Sequence, residues 1–121
     1  MTEARNAKQY DSEDRTLAFA PDVRAFVREL QRTTANIEDG KQLVRASGSV
    51  GANYIEANEA LSKKDFLMRI KICRKESKES RYWLRLVETC NDQEQEARRH
   101  KLIQEATELM NIFGSIVRKT E

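Results

Sequence analysis

The sequence is poor in the residues that make turns. One proline and four glycines in 121 residues exclude a loop-rich or strand-and-turn architecture and leave long helices with short links. Cysteine is scarce too, with only Cys73 and Cys90. Both fall on one expected helix about 17 residues apart, so at ~1.5 Å rise per residue they stand about 25 Å from each other and cannot bridge. They read as reduced, small apolar side chains. The single histidine, His100, is too little for a relay or a zinc cluster. No apolar run approaches the roughly 20 residues needed to cross a bilayer. The opening MTEARNAKQYDSEDR also lacks the apolar stretch of a signal peptide. A cytoplasmic protein with no membrane partner is expected. Finally, no sign of charge predominates: 22 Lys and Arg face 20 Asp and Glu, for a net +2. Any basic surface must therefore come from uneven distribution.

What is present is the composition of a helical protein, 35% charged and 39% hydrophobic, long enough for a single core. Residues 1–11 show no periodicity and read as a flexible tail, with one domain over 12–121. The first helix, about 12–33, carries Leu17, Phe19, Val23, Phe26, Val27 and Leu30 at helical spacing. Pro21 either kinks it or begins it; the kinked reading is preferred because Leu17 and Phe19 call for burial. Asn36 with Asp39 can cap a second helix, about 37–60. Its centre holds Ala46, Ser47, Gly48, Ser49, Gly51 and Ala52. Gly weakens a helix by up to roughly 1 kcal/mol, so these residues imply close approach of a neighbouring helix. A loop at 47–51 is the alternative, against which Leu43, Val44, Val50, Tyr54 and Ile55 keep helical spacing.

Ser62 with Asp65 repeats the capping pattern and opens a third helix, about 63–91. At about 29 residues this would be some 43 Å long, extended for so small a bundle. Phe66, Ile70, Cys73, Ser77, Ser80, Leu84 and Val87 recur at steps of four and three, a heptad-like seam. Ile72, Trp83, Leu86 and Cys90 widen it. A fourth helix, about 94–119, places Leu102, Ala106, Leu109, Phe113 and Ile116 on one stripe. No segment alternates with period two. The fold class is all-α, an antiparallel up-down-up-down four-helix bundle. The apolar surface of helices 2 and 3 exceeds what one bundle interior hides, which implies self-association.

Two constellations carry chemistry. Lys71, Arg74, Lys78, Arg81 and Arg85 step by three and four along helix 3 and share a face about 80° wide, with Lys64 at its edge. Such a stripe can track phosphates, with Tyr82 beside it to stack on a base. Equally, it can be a solvated face paired with Glu76 and Glu79 or with a neighbouring subunit. The second constellation is acidic: Glu56 and Glu59 on helix 2, Glu76 and Glu79 on helix 3. A di-iron bundle needs Glu-x-x-His from two helices, and His100 follows no such Glu. Asn53, Glu56 and Glu76 are instead expected in a structural polar network between helices. There is no phosphate loop, nucleophile elbow or metal-ligand cluster. No catalytic residue, metal, cofactor or small-molecule substrate is expected, and the protein reads as non-enzymatic.

The segments SGSVGANYIEANEALSKKDFLMRIK and ESKESRYWLRL resemble the bacterial four-helix-bundle family, also called the 23S ribosomal RNA intervening-sequence protein family. The likeness runs over about residues 15–118. In many relatives the position of Gly51 is Pro and that of Ala57 is Gly, departures that leave the fold intact. The resemblance implies an antiparallel four-helix bundle assembled as a ring-shaped homopentamer. Some members are encoded within intervening sequences of 23S ribosomal RNA genes. A related branch serves as the accessory protein of diversity-generating retroelements, where a basic pentamer binds nucleic acid and the reverse transcriptase. The functional expectation is an oligomeric bundle that binds RNA or other nucleic acid through Lys64, Lys71, Arg74, Lys78, Arg81 and Arg85. The alternative is a protein–protein scaffold or accessory subunit with no nucleic-acid contact.

Overall fold

The computed structural model describes residues 2–121, with side chains from Ser12 onward; residues 2–11, read above as a flexible tail, belong to the first helix. It contains four helices: α1 (Thr2–Arg28), α2 (Thr34–Asn58), α3 (Lys63–Leu86) and α4 (Gln93–Thr120). Among the described residues there is no strand. No described helix is long and apolar enough to cross a membrane.

Side-chain caps start three of the helices. Ser62 Oγ accepts the amide of Asp65 at 3.0 Å, as the capping pattern predicts. Asp92 does the same for Gln95 at 3.1 Å. The cap of α2 corrects the sequence reading: it is Thr33, whose Oγ1 accepts the amide of Asn36 at 3.1 Å. Asn36 is released from capping and buried. Its Nδ2 donates to the carbonyls of Gln31 and Glu88, both at 2.9 Å, and its Oδ1 accepts the Glu88 amide at 2.9 Å. One side chain thus ties the α1–α2 link to the chain just beyond α3.

Two further boundaries differ from expectation. α1 continues through Pro21 and ends at Arg28, short of the predicted 33. Leu17, expected to be buried, is 73% exposed, because the core-facing row is Phe19, Val23, Phe26 and Leu30. α3 ends at Leu86: Val87 is extended, and Cys90 and Asn91 take positive φ of 54° and 63°. It therefore has 24 residues, about 36 Å of helix, and is shorter than α1 and α4. Cys90 lies in the link and is exposed, while Cys73 is buried; both are free. The apolar spacing continues past Leu86 because Val87 still enters the core, so periodicity alone does not register the break.

Each helix packs on its neighbours in the chain, and α1 also meets α4. The α3 seam is buried as the spacing predicts, with Ile70, Cys73, Ser77, Ser80 and Leu84 inaccessible to solvent. The two serines sit there without orphaned hydroxyls, since Ser77 donates to the Cys73 carbonyl and Ser80 to the Glu76 carbonyl, each at 2.8 Å. Their small volume admits Leu43, Val50, Leu109 and Phe113 from α2 and α4 into the same core. The small-residue stretch of α2 stays helical, and its glycines face α1. A Cβ on Gly51 would lie 3.4 Å from the Thr16 carbonyl oxygen, and one on Gly40 3.1 Å from Val27. Close helix approach is the reason for the glycines.

Candidate nucleic-acid interface

Charge is segregated by helix. α3 carries nine Lys and Arg against three Asp and Glu, a net of +6, while the whole chain is only +2. The rest of the molecule is therefore net acidic. Of the three acids on α3, Glu76 is buried and Asp65 and Glu79 are half-buried, so the exposed face of this helix is overwhelmingly cationic.

Lys64, Lys71, Arg74, Lys78 and Arg85 all reach solvent. Arg81 is half-buried and leans on α4, its Nη1 3.4 Å from Thr107 Oγ1. Arg74 also leans on α4, over Gly114. The stripe consequently follows the groove between α3 and α4. Its one ion pair among the described residues is loose, Lys71 Nζ to Glu121 Oε1 at 3.9 Å, with both side chains more than half exposed. At the C-terminal end of α3, Lys78, Arg81, Tyr82, Arg85 and Leu86 line a shallow depression of about 320 Å³. The Tyr82 ring packs edge-on against Trp83 with centroids 5.0 Å apart, and remains 57% exposed. Three cations and an open aromatic face in one depression suit a stacked base flanked by phosphates.

The polar residues between α2 and α3 form two linked groups. Asn53 Nδ2 donates to the Ser49 carbonyl and hydroxyl at 2.9 and 3.1 Å, and its Oδ1 accepts from Arg69 Nη1 at 3.1 Å. Glu76 lies next along α3, facing Ser49 and Glu79, with Arg45 Nη1 3.7 Å away. Burial raises the Glu76 carboxyl above its ordinary range, and hydrogen bonding with Glu79 raises it further. Glu56 stands apart: it is exposed and makes no hydrogen bond or ion pair among the described residues. Arg45 and Arg69 were not singled out by sequence reasoning, and Ser49 was read only as a small packing residue; its i+4 spacing from Asn53 is the one hint of this group. Cys73, whose thiol is pushed up to about 12 by burial, donates to the Val50 carbonyl at 3.5 Å; it is a packing residue, not a nucleophile. No three His, Cys, Asp or Glu side chains converge among the described residues.

A second charged seam joins α1 to α4. Arg15 forks onto Glu105, through Nε at 3.0 Å and Nη2 at 2.7 Å, and reaches Glu108 at 2.8 Å. These acids are consumed within the fold and stand on the side where α4 meets α1.

The family model described as 23S rRNA-intervening sequence protein matches residues 8–115. Among solved structures, the chain resembles a protein with unknown function from the S23 ribosomal protein family of Bacteroides thetaiotaomicron. The two are 29% identical with a TM-score of 0.77, over 92% of this chain and 98% of that one. No curated protein matches significantly.

Proposed function

The chain belongs to the 23S rRNA-intervening sequence protein family, and from that premise we propose that it is a non-enzymatic, oligomeric, cytoplasmic bundle that binds RNA or another nucleic acid along α3. The observation that carries this reading is the concentration of net +6 on one helix of a nearly neutral chain. Five of the stripe's six cations are exposed, and Lys71 alone has an ion-pair partner among the described residues, which a structural role does not require. Phosphate contacts through such a row give binding that is tolerant of sequence and sensitive to salt.

The bundle is up-down-up-down in this reading, supported by the order of interhelical contacts. Along α2 and α3, Asn36 meets Glu88, Arg45 meets Glu76, and Asn53 meets Arg69: one partner advances as the other retreats. Arg74 with Gly114 and Arg81 with Thr107 run oppositely in the same way. The molecule assembles as a homopentamer, supported by large side chains left open: Leu17, Ile55, Leu61, Met68 and Leu86. Light scattering tests the ring, and a 14.1 kDa monomer at micromolar concentration contradicts it.

Reversing Lys71, Lys78 and Arg85 together to Glu tests the interface without touching the core. Loss of RNA retention with unchanged helical circular dichroism is the expected result. Unchanged retention at low salt overturns the assignment and leaves the scaffold or accessory-subunit reading, in which the stripe meets an acidic protein surface.

A further inference from the structure

Gly114 is a buried residue in the C-terminal third of α4, still inside the helix, where a glycine costs up to about 1 kcal/mol relative to alanine. The point its Cβ would occupy is 3.3 Å from Nη1 of Arg118 and 3.7 Å from Nε of Arg74. Two guanidinium groups, one from each helix, therefore converge on one place. They lie within about 7 Å of each other, close enough to repel even near the surface. Neither is within ion-pair distance of a carboxylate among the described residues. Glu121, which follows α4, is engaged with Lys71. A Cβ at position 114 would crowd Arg118 and come into van der Waals contact with Arg74.

We propose that Arg74 and Arg118 form a two-arginine clamp for one phosphoryl group, with Gly114 as the floor that lets both guanidiniums reach it. In the setting of the α3 face the phosphoryl group is a backbone phosphate of nucleic acid, and in that respect the inference rests on the function proposed above. The chemistry fits. Each guanidinium presents a planar fork of N–H donors that pairs two phosphate oxygens, which an ammonium cannot do. The anion also cancels the repulsion that the fold holds between the two arginines. The position extends the α3 stripe onto α4, so the surface recognises phosphate from both walls of a groove rather than from a single ridge.

The test follows the side-chain Nε–Hε NMR resonances of the labelled full-length protein. It is titrated with inorganic phosphate and, separately, with a single-stranded oligoribonucleotide lacking a terminal phosphate. The clamp predicts saturable shifts of Arg74 and Arg118 with both probes, and their loss in Gly114→Leu. Arg118→Gln should weaken oligonucleotide binding roughly tenfold. Lys119→Gln, an equal change of charge one residue on, should change it less than twofold. Resonances unmoved by either probe, or equal weakening by the two substitutions, overturn the clamp. If the oligonucleotide is retained by Arg118→Gln but lost on reversal of Lys71, Lys78 and Arg85, the clamp fails while the α3 interface stands. Saturable shifts with phosphate but no oligonucleotide binding support a clamp for free phosphate and overturn the nucleic-acid reading.

Discussion

At the scale of single residues, Asn36 does more for this fold than its place in a short polar link suggests. Its amide satisfies two carbonyls and one amide from chain segments on either side of it. Asn36→Ala strands all three and should lower stability by roughly 1–3 kcal/mol in a denaturant titration. Asn36→Asp should cost at least as much at neutral pH, because a carboxylate would then face two carbonyl oxygens. A change under about 0.5 kcal/mol, the range of neutral surface substitutions, contradicts the role. Sequence reasoning reached the right residue with the wrong job. Asn is a good N-cap, but so is Thr33, and nothing local decides between them; the partner that claims Asn36 is Glu88, far along the chain.

At the scale of elements, the α2–α3 contact contains a group whose protonation is tied to folding. Glu76 holds its proton more tightly in the folded chain than in the unfolded one, through burial first and Glu79 second. Its contribution to stability is therefore complete below the ordinary value of 4.5 and is lost as pH rises through the folded value. Thermal midpoints of the wild type should fall relative to Glu76→Gln as pH rises from about 4.5 to neutrality, and the variant should be at least as stable at pH 7. Parallel pH profiles would contradict this. The α1–α2 contact depends instead on missing volume. Gly51→Leu must push past the Thr16 backbone and should cost roughly 1–3 kcal/mol by denaturant titration, whereas an unchanged midpoint would mean that the helices are not held this closely. The four helices and the small-residue approach were legible in the sequence because 3.6-residue periodicity survives everywhere except at ends. The end of α3 was not, since Val87 keeps the apolar phase after its backbone has left the helix.

At the scale of the whole molecule, the distinctive property is charge separation within a nearly neutral chain. The basic row of α3 could be read from spacing alone. Its relation to α4 could not, because Arg74 over Gly114 and Arg81 beside Thr107 are contacts between distant segments. Nor did spacing show how the acids are placed: Glu76 is buried, while Glu105 and Glu108 are held by Arg15 on the side of α4 that meets α1. The row itself is left with one loose ion pair, Lys71 with Glu121. The most direct test is the salt dependence of binding to double-stranded nucleic acid. If four or so of the α3 cations displace counterions from phosphates, log K falls linearly with log salt at a slope of roughly −3 to −5. Reversal of Lys71, Lys78 and Arg85 should flatten that slope along with the affinity. A wild-type slope near zero, or the same slope in the reversed protein, would contradict the account.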